Sequence, residues 1–266
     1  MLLQKMEFPL LGTPYLNLVK MKYCIIILFL GPIIAQDIDL LFEYGNQLFI
    51  NGRFDDAIDK YEKILEQDQE NADLYYNIGN AYFRSHEIGK AIWAYNKGIK
   101  LSPRDNDIHQ NLEIANSRII DRLVLPEPFF LLRLYRDLKN NFTIQEFIMI
   151  GSLLLFLEAS LFMNLQFGWI GNIVIRKCIS ILVISAMLIH GIAIDKFFQK
   201  KNTRRGIIIE NGVEAYSGPF YGESTVLLRI NEGTLVDLHQ SQEGWVEIIL
   251  IDGKIGWITT NTMRSL

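Results

Sequence analysis

Two uninterrupted apolar runs constrain this chain more than any other feature. Phe147 to Leu165 holds a single charge, Glu158, and Cys178 to Ile194 holds none. Each approaches the ~20 residues that cross a ~30 Å hydrocarbon core as a helix. The polar and glycine residues of Gln166–Asn172 between them fit a tight turn joining antiparallel spans. A hydrophobic hairpin buried in a soluble core is the competing reading, but little else in the sequence offers a cover for it. A lone carboxylate inside a span is costly. Glu158 is therefore either functional or a protonated group facing the neighbouring helix.

A third apolar run lies near the N-terminus. Lys22 precedes about a dozen apolar residues, and small Ala35 stands before the polar Gln36-Asp37. That order matches a secretory signal, with an imperfect cut because Ile33 occupies the third position back. Met21 then reads as the natural start and the first twenty residues as an upstream extension; an uncleaved anchor is the alternative. A cleaved signal and two spans put both flanking regions outside the cytoplasm, at a bacterial inner membrane facing the periplasm. The positive-inside rule points the other way, since Lys196, Lys200, Lys201, Arg204 and Arg205 follow the last run and only Arg176 and Lys177 lie between the spans. The first segment usually fixes orientation, so the periplasmic arrangement is the expectation.

Before the apolar hairpin, residues 38–121 repeat with a period of 34. Gly45 recurs as Gly79, Ala57 as Ala91 and Tyr61 as Tyr95, while Asn51-Gly52 falls where His86 stands. Small residues at these points let paired helices approach, and each tyrosine fills the gap between hairpins. The pattern resembles two tetratricopeptide repeats, with Asn106–Asp121 as a capping helix. The resemblance implies a concave, partner-binding face on the first helix of each repeat, carrying Phe42, Asn46, Phe49, Tyr76, Asn80 and Phe83. Either these residues contact a partner or the aromatics pack against the cap. Asn46 and Asn77 also stand where the carboxylate-clamp subclass keeps asparagines. That subclass has cations where this chain has Phe42, Asp107 and Asn111, so a C-terminal carboxylate has no positive partner at those positions. The clamp is rejected.

Leu125-Pro126-Glu127-Pro128 breaks the helical pattern. Phe129–Lys139 then mixes aromatics with basic residues, as an interfacial amphipathic helix does. From Gly206 the period changes to short β segments separated by Asn231-Glu232-Gly233, Gln242-Glu243-Gly244 and Asp252-Gly253 turns. The segments Gly244-Trp245-Val246 and Gly256-Trp257-Ile258 resemble a bacterial SH3-like domain. That resemblance implies a small barrel, and in some relatives a cell-wall peptide site, for which Tyr216, Phe220, Tyr221 and Trp245 are candidates. Trp245 and Trp257 read equally well as core residues.

Half the residues are hydrophobic, and 26 Lys and Arg stand against 30 Asp and Glu, a net charge of −4 that argues against nucleic-acid binding. The two cysteines, Cys24 and Cys178, both lie in apolar runs, which excludes a disulfide scaffold. His86, His109, His190 and His239 are scattered without metal spacing, and no phosphate-binding loop occurs. No enzyme activity, cofactor or metal is expected. The fold class is a multidomain membrane protein: an α-solenoid of tetratricopeptide repeats, a two-helix transmembrane hairpin and a small all-β SH3-like barrel. The expected divisions are 1–36 extension and signal, 37–122 repeat array, 123–142 linker and interfacial helix, 143–195 hairpin, 196–205 basic tether and 206–266 SH3-like domain.

Taken in order, these parts resemble the BatE-like members of the Bacteroides aerotolerance (Bat) family over residues 21–266. Asn111-Leu112-Glu113-Ile114-Ala115-Asn116 and Gly45-Asn46 fit that architecture. The resemblance implies an envelope scaffold beside membrane-anchored von Willebrand-type A-domain proteins and a MoxR-type ATPase, with a role in oxidative or envelope stress. The resulting expectation is a membrane-anchored adaptor that binds proteins through its repeats. A peptidoglycan-binding sensor using the SH3-like domain is the alternative.

Overall fold

The computed structural model describes residues 38–119, 129–167, 173–202, 204–222 and 225–266. The signal-like run and the Pro126–Pro128 boundary lie outside them, as does most of the turn between the two apolar runs.

Five helices form the N-terminal unit: α1 (38–50), α2 (Phe54–Leu65), α3 (Ala72–Arg84), α4 (Ile88–Leu101) and α5 (Asn106–Asn116). Asn71 caps α3 by accepting from Leu74 N at 2.7 Å, and Asp105 caps α5. Tyr61, Tyr75, Tyr82 and Tyr95 are fully buried among Leu74, Ile78, Ile92 and Ile108. The 34-residue period is literal at the helix crossings. A Cβ added at Gly45 lies 2.6 Å from Tyr61 Cε1, and one at Gly79 lies 2.6 Å from Tyr95 Cε1, so each ring needs its glycine. The turns repeat too. Gly52 has φ +76° after α1, and His86 takes φ +64° at the equivalent place after α3.

Helix α6 (Phe130–Asn141) leads into α7 (Ile144–Gln166), and α8 (Ile173–Asn202) follows. Thr143 and Glu146 form a capping box that starts α7. Gly151 of α7 packs against His190 of α8, and Lys196 Nζ donates to Phe142 O at 2.6 Å, so the two helices run antiparallel. Both are long and apolar enough to cross a membrane, and only 6% and 11% of their apolar windows are buried in the molecule. Among the described residues they are not buried as the core of a domain. Residues 196–202 of the basic stretch form the last turns of α8, and β1 begins at Arg204.

The C-terminal unit is one antiparallel sheet of seven strands: β1 (Arg204–Ile208), β2 (Val213–Tyr216), β3 (Val226–Ile230), β4 (Leu235–Gln242), β5 (Trp245–Leu250), β6 (Ile255–Thr259) and β7 (Met263–Ser265). The order is β3-β2-β6-β5-β4-β1-β7. Ile208, Ala215, Ile230, Val236, Ile248, Ile258 and Met263, one from each strand, belong to a single buried cluster. The expected barrel is nevertheless not closed, because edge strands β3 and β7 do not pair. β7 is only three residues long and lies against α4 instead, where Trp93 Nε1 donates to Ser265 O at 2.8 Å.

The sheet docks on the array through α4. Gly89 of α4 approaches so closely that an added Cβ would sit 2.6 Å from Ile208 O, and its N–H donates to Glu232 Oε2 at 2.7 Å. Ile207, Leu235 and Leu266 pack into the hydrophobic core of the array. At the edge of this contact Arg264 donates to Glu62 at 2.7 Å and to Tyr82 Oη at 3.1 Å, and its guanidinium lies 4.6 Å from the Trp93 ring.

Candidate functional site

A groove of about 230 Å³ opens on the face of the array formed by α1, α3 and α5, away from the docked sheet. It is lined by Phe49, Asn80, Phe83, Arg84, Tyr95, Asn111 and Ile114. Two matching side-chain triads organise this face. Asn46 Oδ1 accepts from Tyr61 Oη at 2.8 Å and from Asn77 Nδ2 at 2.9 Å. One repeat later, Asn80 Oδ1 accepts from Tyr95 Oη at 2.7 Å and from Asn111 Nδ2 at 2.8 Å.

The carbonyl side of each central asparagine is thus fully used. Among the described residues no buried side-chain nitrogen or oxygen lacks a partner. Asn46 and Asn80 donate no side-chain hydrogen bond there, so their Nδ2 groups are open to solvent and free to donate to a ligand carbonyl. Burial pushes the Tyr61 hydroxyl up to about 12, with the Glu43 charge adding to the shift, and burial raises Tyr95 further. Both phenols are neutral donors under ordinary conditions.

Of the residues expected on this face, Phe49, Asn80 and Phe83 line the groove directly. Asn46 belongs to the first triad. Phe42 and Tyr76 are half-buried against the array core, with the Phe42 ring 6.0 Å from that of Tyr61. Sequence reasoning missed Arg84, Tyr95, Asn111 and Ile114. Arg84 supplies the groove with a cation away from the clamp positions, and its guanidinium is held 4.6 Å above the Phe54 ring. Asn111 stands at a clamp cation position, and it acts as the amide donor to Asn80.

The structure also gathers the aromatic residues of the sheet. Tyr216, Tyr221 and Trp245 form a mutual cluster, with ring centroids 5.7 Å apart for Tyr216–Tyr221, 5.5 Å for Tyr216–Trp245 and 4.7 Å for Tyr221–Trp245. Trp245 is 8% exposed and forms the floor, while Tyr221 at 73% is the exposed wall. Phe220 is exposed beside them, against Gly218. Tyr216 Oη donates to Glu214 Oε2 at 2.8 Å.

The array also has a family likeness. Residues 45–85 match the family model described as TPR repeat. The match covers the second half of α1, α2 and α3, and the second triad repeats the first through α4 and α5. Arrays of such repeats present extended concave surfaces on which proteins bind. No curated protein matches the chain.

Proposed function

We propose that this protein is a membrane-anchored adaptor, without catalytic activity, that holds a protein partner in the groove of its repeats. The observation that carries the reading is the placement of the sheet. It docks on α4, leaving the Asn80–Phe83 groove uncovered and its amide donors open. An apolar helix or extended segment fits a floor of Phe49, Phe83 and Ile114 with Asn80 and Arg84 supplying polar contacts. Helices α7 and α8 are the anchor, and an antiparallel pair returns the chain to the side it left. Direct packing of the sheet on the array supports the same arrangement, because both units must share one side of the bilayer.

By its resemblance to the Bat family, the finer reading places that side in the periplasm and makes the partner a membrane-anchored von Willebrand A-domain protein of an aerotolerance- or stress-related complex. A photo-crosslinking residue at Phe83 is the test. Capture of such a protein from Phe83, but not from Lys63 on the exposed surface of α2, is the expected result; equal capture from both, or none, overturns it. Reporters fused after Ser117 and after Leu266 test orientation, and periplasmic activity is expected at both.

The aromatic cluster of the sheet favours a second reading, a peptidoglycan-binding sensor built on an SH3-like domain. Cosedimentation with purified peptidoglycan that is lost on Tyr221→Ala and kept on Asn80→Ala supports the sensor over the adaptor.

A further inference from the structure

A second cavity lies away from the repeat groove. It is a cleft of about 570 Å³ between α6, the end of α8 and the outer face of the sheet. Its charged lining is Arg136 and Lys139 of α6, Arg205 of β1 and Asp237 of β4, so three cations face one carboxylate. Its apolar lining includes Leu132, Ile249 and Ile251. Arg205 is paired with Asp237 at 3.0 Å and Lys139 with Asp195 of α8. Arg136 has no ion-pair partner among the described residues, which leaves one uncompensated charge at the mouth.

The depth of the cleft relative to the apolar hairpin is fixed by the chain. Lys196 Nζ donates to Lys139 O at 2.7 Å and Tyr135 Oη donates to Asp195 at 2.5 Å, which pins α6 beside α8 just past Ile194, where its long uncharged run ends. Gln199, which lines the cleft, follows Ile194 by about 7.5 Å of helix. A headgroup layer is roughly 5–7.5 Å thick on each side of the hydrocarbon. The cations therefore stand at headgroup depth, and exposed Phe130, Leu131, Leu134 and Leu138 mark α6 as a helix lying in the same zone.

We propose that this cleft binds an anionic glycerophospholipid, its phosphate held by Arg136 and Arg205 and its glycerol backbone against Leu132 and Ile251. Guanidinium groups suit a phosphodiester because their forked donors meet two oxygens at once. The site also gives Arg205, one of the basic residues after Ile194, a ligand that does not depend on which face of the membrane it occupies. The proposal rests on the membrane-anchored reading.

The test uses the full chain purified in detergent, with native mass spectrometry reading retained phosphatidylglycerol against phosphatidylcholine. A preference of about tenfold for phosphatidylglycerol is expected. It falls below twofold in Arg136→Gln/Arg205→Gln and in Ile251→Asp, and it is unchanged in Arg229→Gln, whose exposed pair with Glu214 lies on another part of the sheet. Equal retention of both lipids overturns the proposal, as does a preference that survives both cleft variants in chains with unchanged melting. Saturable binding of glycerol 3-phosphate at the same affinity, without acyl chains, overturns the lipid as occupant in favour of a soluble phosphoester. Alkaline carbonate extraction of membranes separates the two readings. Protein kept in the pellet with no lipid preference sinks this site alone, and protein released to the supernatant sinks the anchor as well.

Discussion

Helix α2 carries Asp55 and Asp59 where α4, one repeat later, carries Gly89 and Trp93. Toward the groove the two repeats are copies, with Gly45, Asn46 and Tyr61 reproduced as Gly79, Asn80 and Tyr95 down to the hydrogen bonds. On the outer side they diverge. Asp55 accepts from Ser85 Oγ at the surface at 2.6 Å and Asp59 is exposed. Gly89, by contrast, admits the backbone of the sheet, and Trp93 is buried beneath Ser265 and Arg264. What repeats is what holds helix to helix; what breaks the repeat marks where another unit lands.

The largest effect should come from the shared interior. Tyr61→Ala and Tyr95→Ala each remove a fully buried ring and should cost about 3–5 kcal/mol, to a similar degree, in urea denaturation. A large inequality between them would break the internal equivalence. On the outer side the expectation is inequality. Gly89→Asp forces a side chain into the Ile208 backbone and should cost about 2–3 kcal/mol, with faster hydrogen exchange in β1 and β7. Asp59→Ala, one repeat earlier and exposed, should stay within about 0.5 kcal/mol.

Extremes of pH should separate the two surfaces as well. Folding raises Tyr61 above its ordinary value of 10 to about 12, so its neutral form stabilises the array fully below pH 10. That contribution is lost as pH rises through 12, and the alkaline limb of a circular-dichroism titration should report array helices. Burial pushes the Glu62 carboxyl up, but donation from Tyr82 and Arg264 outweighs it and holds the group below its ordinary value of 4.5. Its contribution is therefore present above pH 4.5 and lost as pH falls through the lowered value. Acid should loosen the sheet from the array first, which hydrogen exchange in β7 would detect; simultaneous exposure of the α3 core would contradict this. The smallest effect concerns the turns. His86→Gly should stabilise by about 0.5 kcal/mol, because relief of the left-handed backbone exceeds the entropy glycine adds to the unfolded chain, whereas Gly52→Ala should cost about 1 kcal/mol.

The repeat was legible in the sequence because the same contact demands the same residue types each time. A tyrosine ring seated on a helix backbone leaves room only for glycine, and the spacing of Gly45, Tyr61, Gly79 and Tyr95 records that geometry. Two of the apolar runs were legible as long apolar helices for the same reason: their composition leaves few alternatives. The sheet was legible as β structure through its turns, but strand order was not. Hairpin signals fix which strands are joined, and nothing local says that β1 inserts between β4 and β7, or that β7 lies against α4. The ion pair at the dock spans residues 62 and 264, a separation across which no periodicity operates. In the groove, Phe49, Asn80 and Phe83 followed from their helix face. Asn111 was weighed as a missing cation, and its role as a repeat of Asn77 shows only once the hydrogen bonds are compared.

One residue separates α8 from β1, which begins at Arg204 directly after the helix ends at Asn202. Two residue steps link Asn202 to Arg204, so their Cα atoms can never stand more than about 7.2 Å apart. Piston or screw motion of α8 beyond that distance is delivered to β1 as traction. Because β1 lies next to β7 and against Gly89, the pull reaches α4 as a strain on the dock. The molecule is thereby geared: a helix displaced along its axis by two turns, about 11 Å, must either carry the repeats with it or shear the sheet from them.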